Sequence, residues 1–260
     1  MKRRSFIGKS AMLAGTASLV PGMTSATPVP AYSEKELYEL RIYQLTGGNS
    51  KTALKNYLTS AVIPYISGKG GKVGIFSEYS LQEPPRLYLL LAYPDAATCY
   101  ECMTGMEKDA IYRSNAASYL QTPADKPLFD RYETMLLEAF DRIPHLIQPD
   151  PSRGLLELRI YESYNEDAGR RKIAMFNQEE LPLFDKVGLP KVFFGKILAG
   201  THMPALTYML WFRDMAHREE VWAKFRVHPD WITMKDKPEY ANAVSRVNKI
   251  FLLPEEGSQI

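Results

Sequence analysis

Cysteine and histidine are scarce in this chain of 260 residues, which has two of the first and four of the second. His145 and His202 fall in connecting segments, and His217 and His228 stand eleven residues apart, not at the i, i+4 spacing that puts two metal ligands on one helical face. No metal site is expected. A haem would need His217 or His228 as its axial ligand, and no cofactor is expected either. No apolar run reaches the ~18 residues of a membrane-spanning helix. No nucleophile elbow, phosphate-binding loop or nucleotide-binding glycine fingerprint is present. Gly68-Lys69-Gly70-Gly71 lies between a helix and a strand, the wrong order for a phosphate cradle, and reads as a turn. Cys99 and Cys102 form a Cys-x-x-Cys within a helical stretch, without the strand that precedes a redox motif of this spacing. They read as packing cysteines, with a redox or disulfide role as the alternative.

A basic tract is also missing from the body of the chain. The formal charge of +2 depends on Lys2, Arg3, Arg4 and Lys9; without them 28 basic face 30 acidic side chains. Nucleic acid is therefore not an expected partner. Residues 2–9 read Lys-Arg-Arg-Ser-Phe-Ile-Gly-Lys, and Ala11 to Val20 is mildly apolar. Pro21-Gly22 and the small residues Thr24-Ser25-Ala26 follow. The whole resembles a bacterial twin-arginine signal peptide, cleaved after Ala26 or Ala31, and implies a periplasmic or secreted soluble protein.

What is abundant is internal similarity. Glu39-Leu40-Arg41-Ile42-Tyr43 returns as Glu157-Leu158-Arg159-Ile160-Tyr161, and both copies alternate as strands do. Pro64 and Pro182 each lie 21 residues beyond the tyrosine of their own copy. An apolar strand, Leu87 to Tyr93 and again Leu206 to Phe212, leads in each half into an aspartate, Asp95 or Asp214, where a helix starts. Ser50 is the expected N-cap of the first long helix. Each half therefore reads β-α-β-β-α-β, the ferredoxin-like order. The divisions are a signal and linker (1–31), a first repeat (34–143), a linker (144–154), a second repeat (155–254) and a tail (255–260). Sheets covered by helices on one face must bury the other face, so the expected fold is α+β, two ferredoxin-like repeats packed as an intramolecular α-β barrel.

The pentapeptide opening each half, the apolar third strand and the run Trp222 to Trp231, containing His228-Pro229-Asp230-Trp231, resemble the NIPSNAP family of dimeric α-β barrel proteins. The resemblance is looser in the first half, where Arg113 to Leu120 lacks that run. It implies the barrel and does not select a reaction, because the wider superfamily includes cofactor-free monooxygenases, haem enzymes and other catalysts.

If Leu40, Ile42, Leu158 and Ile160 face the helices, then Glu39, Arg41, Tyr43, Glu157, Arg159 and Tyr161 point between the sheets. Such residues either pair with one another as structural ions or line a cleft, with arginine clamping a carboxylate and tyrosine donating or stacking. His228 and Trp231 are secondary candidates, which the neighbouring Pro229 also fits to a turn. The expected function is binding of a small organic ligand or of an envelope protein, with a homo-oligomer among the expected assemblies. The alternatives are a cofactor-independent oxygenase or isomerase acting in the inter-sheet cleft, and a purely structural envelope partner.

Overall fold

The computed structural model describes residues 35–80 and 83–260; the export signal and its cleavage points lie outside them. The first half comprises β1 (Leu37–Leu45), α1 (Gly48–Tyr57), α2 (Ile63–Gly68), β2 (Lys72–Glu78) and β3 (Arg86–Tyr93). It continues with α3 (Ala96–Gly105), α4 (Ala110–Asn115), α5 (Ala117–Leu120) and β4 (Phe129–Ala139). The second half comprises β5 (Leu155–Glu162), α6 (Glu166–Met175), α7 (Leu181–Val187), β6 (Lys191–Ala199) and β7 (Ala205–Phe212). It ends with α8 (Met215–Val227), α9 (Pro229–Met234) and β8 (Arg246–Pro254).

Local signals explain most boundaries. Asp95 and Asp214 accept hydrogen bonds from the backbone N–H of Thr98 (2.7 Å) and His217 (2.8 Å), and Asn165 caps α6 in the same way. Ser50 does not cap α1. That helix starts two residues earlier, after Gly47, and the Ser50 hydroxyl donates back to the Gly47 carbonyl. Both proline-bearing helices pass through a π-helical turn, Leu58–Val62 before Pro64 and Phe176–Glu180 before Pro182. Proline brings no N–H and crowds the preceding turn, and the wider turn lets each helix continue past it.

Each half orders its strands as expected of a ferredoxin-like sheet: β2-β3-β1-β4, then β6-β7-β5-β8. The two sheets do not stack as separate layers. Their edges join, β2 to β8 and β4 to β6, and the eight strands close into one antiparallel barrel. At the β4–β6 seam a Cβ on Gly195 would fall 2.9 Å from that of Leu137, so the close approach needs glycine.

The barrel interior is a packed apolar core of Tyr38, Leu40, Leu90, Met135, Leu158, Ile160, Phe193 and Met209, among others. Two further cores lie between sheet and helices, one around Leu54, Leu58, Val62 and Leu89, the other around Phe176, Phe184, Phe194 and Phe225. The expected facing is thus inverted. Leu40, Leu158 and Ile160 point into the barrel, and Glu39, Arg41, Tyr43, Glu157, Arg159 and Tyr161 belong to the side covered by helices. An eight-stranded barrel has room for a core of side chains and little else, so it takes the apolar set.

The segments expected as linker and tail are parts of this structure. The Ile147 N–H donates to the Val192 carbonyl (2.8 Å) and the Gln259 N–H to that of Val73 (2.9 Å), while Leu146 and Ile260 pack on the barrel core. Shortening Leu158 to alanine should therefore cost about 2–5 kcal/mol, the range for opening a core cavity. Urea unfolding of Leu158→Ala measures it, and a loss under about 1 kcal/mol would contradict an inward-facing Leu158.

Candidate functional site

The repeated Glu-x-Arg pairs form buried ionic clusters beneath the helices. Glu39 accepts from the Arg41 guanidinium, from the Tyr93 hydroxyl (3.0 Å) and from the Thr134 hydroxyl (2.9 Å). Glu157, fully buried, accepts from Arg159 Nε (2.7 Å), from Arg218 Nε (2.8 Å) and Nη2 (3.0 Å), and from the Trp222 indole (2.9 Å). The Arg159 guanidinium lies 4.0 Å from the centre of the Trp222 ring and donates to the Tyr161 hydroxyl, which is 3.1 Å from that of Tyr208. Burial alone would raise both carboxyls. Around Glu39 the hydrogen bonds and charge of Arg41, helped by Thr134 and Tyr93, outweigh it; around Glu157 those of Arg218, Arg159 and Trp222 do so, and both pKa values end below the ordinary carboxyl value. These carboxylates are saturated with protein donors. The six residues expected to line an inter-sheet cleft are structural ion pairs and their aromatic neighbours.

The two clusters differ in what the helix supplies. Counted from the capping aspartates, Cys99 stands where Arg218 stands and Met103 where Trp222 stands. Both cysteines are free and buried, and burial, then the charge of Glu39, pushes the Cys99 thiol up to about 12. Both thiols lie in the helix–sheet core as packing side chains do.

The second half holds another buried pair that sequence reading missed. Lys172 on α6 meets Glu180 in the π turn at 2.6 Å, with its ammonium 4.4 Å from the centre of the Phe176 ring. Aligned on the two prolines, the first half has Leu54 and Val62 at these places. The available signal was charge at two positions of an otherwise apolar helical stripe. His228 caps α9, its Nδ1 accepting from the Asp230 N–H (3.2 Å), and Trp231 packs 4.7 Å from the Phe225 ring. Both serve the turn.

Where the halves diverge, a groove opens. A cavity of about 480 Å³ runs between α6 and the β4–β6 seam, bordered by Gly169, Ile173 and Asn177 of α6 and the turn after it and by Glu138, Phe140, Lys196 and Leu198 of the seam. Lys35, Asp141, Glu166, Met203 and Ala205 also border it. On the same alignment Gly169 replaces Lys51, and Ile173 replaces Lys55. In the first half both lysines close on Glu255, Lys55 at 2.8 Å. Glu255 leaves β8 as Phe140 leaves β4: their N–H groups donate to the Ile75 and Phe194 carbonyls, at equivalent places on β2 and β6. A three-residue ion cluster thus bridges the first half where the second has a glycine, an isoleucine and a phenylalanine.

Two stability measurements follow from the buried ions. Lys172→Leu alone strands the Glu180 charge and should cost about 3–5 kcal/mol, whereas Lys172→Leu with Glu180→Val should return close to the wild-type unfolding midpoint. Because Glu39 and Glu157 titrate below their ordinary value in the fold, their contribution is complete above the unfolded carboxyl pKa and is lost as pH falls through the lowered folded values. Denaturation midpoints should be level at neutral pH and fall below about pH 4.5, and a midpoint unchanged down to about pH 3 would contradict the saturated clusters.

Comparison with known proteins agrees with this architecture. The sequence of residues 156–259 matches the model of the NIPSNAP family. No curated protein matches the chain. Among solved structures, a candidate monooxygenase from Lactobacillus acidophilus is similar over 85% of this chain and 94% of its own, with a TM-score of 0.56 and 8% identity. A candidate monooxygenase from Fusobacterium nucleatum gives 86%, 94%, 0.56 and 9%, and an anthrone oxidase-like protein 86%, 93%, 0.52 and 8%. At such identities the likeness is one of fold. Residues 156–259 are thus similar in sequence to the NIPSNAP family, and the closed eight-stranded barrel they help to build has a fold shared with these solved structures.

Proposed function

We propose that this chain is an exported small-molecule-binding protein whose ligand occupies the groove between α6 and the β4–β6 seam. The observation that carries the reading is the exchange of Lys51, Lys55 and Glu255 for Gly169, Ile173 and Phe140, which leaves open in one repeat what an ion cluster bridges in the other. Gly169 supports it further. Glycine inside a helix costs about 1 kcal/mol relative to alanine, and a Cβ added to this one would meet only Ser163, at 3.6 Å and beyond. Neither crowding nor backbone conformation requires glycine there.

The border suits an amphipathic organic molecule of modest size. Ile173, Leu198, Met203 and Ala205 offer an apolar wall, and the Lys196 ammonium and Glu166 carboxylate make no ion pair among the described residues. The basic start of the chain, with its paired Arg3 and Arg4, supports work outside the cytoplasm.

Native mass spectrometry of the protein purified from the cell envelope of its host tests the reading. The chain should begin at Thr27 or Tyr32 and carry an extra small-molecule mass. Gly169→Lys, which restores the first repeat's residue and improves the helix, should be folded and free of that mass. A bound mass retained by Gly169→Lys would overturn the groove, and an envelope protein in place of the small molecule would make this a docking surface.

A further inference from the structure

A different opening leads into the barrel itself. A cup of about 470 Å³ lies where β1, β5 and β2 end and β3 and β8 begin, floored by Ile42, Ile160, Ile250 and the Tyr88 ring. Arg86, Glu133, Lys249 and His202 stand at its rim. It opens between strands of the two halves, and none of its bordering residues is among the six that the repeat suggested.

Three features make the cup more than a dent. His202 holds a left-handed backbone conformation, φ 66°, uncommon for a residue with a side chain and often found where a group is held in position for function. Its Nδ1 lies 2.9 Å from Glu162 Oε1, to which the Asn248 amide also donates (2.7 Å). In the neutral ring, a carboxylate on Nδ1 selects the tautomer with its proton there and leaves Nε2 as an acceptor. Tyr88 is likewise held, donating to Glu78 Oε1 (2.7 Å), while Glu78 Oε2 is buried without a partner among the described residues. Arg86 approaches Glu78 only to 3.8 Å, too far for a hydrogen bond, so its guanidinium keeps free donors at the rim. Neutral donors hold Glu162 and Glu78 without cancelling their charges, so the mouth sets Arg86, Lys249 and Arg246 against Glu133, Glu78 and Glu162, and the pull on an anion is local to the free donors of Arg86.

We infer that the barrel mouth is a second binding site, for a small hydroxylated aromatic carboxylic acid. The isoleucine floor takes the ring, Arg86 pairs with the carboxylate, and the Nε2 of His202 accepts from the hydroxyl. This site is independent of the α6 groove, with which it shares no bordering residue.

Titration calorimetry with benzoate and with the 2-, 3- and 4-hydroxybenzoates, on the full mature chain, tests the inference. At least one hydroxybenzoate should bind more tightly than benzoate. Arg86→Gln should weaken every probe at least about tenfold, as loss of a charge-assisted hydrogen bond does, and Arg86→Lys should recover part of it. His202→Gly keeps the left-handed backbone and should erase the preference for the hydroxyl while sparing benzoate. Gly169→Lys should change nothing. Absence of binding by all four probes overturns the inference. So does binding that Arg86→Gln leaves intact, a hydroxyl preference that survives His202→Gly, or binding lost in Gly169→Lys.

Discussion

The joining of sheet edges, β2 to β8 and β4 to β6, is the constraint on which the rest of the structure depends. A four-stranded ferredoxin-like sheet covered by helices on one face leaves a second face and two strand edges unpaired, and both are liabilities in water. Joining two such sheets edge to edge satisfies the backbone groups and at the same time curls the bare faces into one enclosed core. The segments after β4 and β8 reinforce it, since their backbones bond to β6 and β2 and their Leu146 and Ile260 side chains pack on the barrel core. Closure also decides where charge can go. The narrow interior takes aliphatic and aromatic side chains, and the ionisable face of β1 and β5 lies under the helices, where β3 and β4 complete the partners of Glu39 and α8 those of Glu157.

Duplication within one chain allowed the halves to diverge without breaking the barrel. Both retain the π turn before a proline, the capping aspartate and the Glu-x-Arg strand. The first half fills its helix–sheet interface with Leu54, Val62 and Leu89, and bridges its outer groove with Lys51, Lys55 and Glu255. The second places Lys172, Glu180 and Tyr208 at the interface and leaves the groove open. The first half thus has the more apolar helix–sheet interface, and the second carries the buried Lys172–Glu180 pair, the α6 groove and the match to the NIPSNAP family.

Buried charge here is an architectural device in the first instance. Glu157 collects donors from β5 and α8, so the carboxylate fixes the helix against the sheet at a defined rotation, and the Trp222 indole both donates to it and lies against Arg159. Such a cluster is worth little against an apolar replacement of the whole set, and much against the loss of one member. That asymmetry fits clusters that specify how a helix docks, with carboxylates whose acceptor sites the protein's own donors fill.

By itself the sequence determined the order of elements in each half, the repeat and the ferredoxin-like unit, because strand alternation, capping aspartates and punctuating prolines are local signals carried by neighbouring residues. The pentapeptide marked Glu39, Arg41, Glu157 and Arg159 as unusual but not which way they face, since a strand buried on both sides has no solvent to break the tie. Only the tertiary structure decided that, through the narrow barrel that took Leu40 and Leu158 and through Arg218 and Trp222, distant in sequence, which complete the second cluster. The grooves were equally out of reach. Gly169 is an ordinary helix residue until the fold lays it opposite Phe140, and His202 is a loop histidine until Glu162 and Asn248 hold it at the mouth of the barrel: cavities form between segments far apart in sequence, and no local pattern records them.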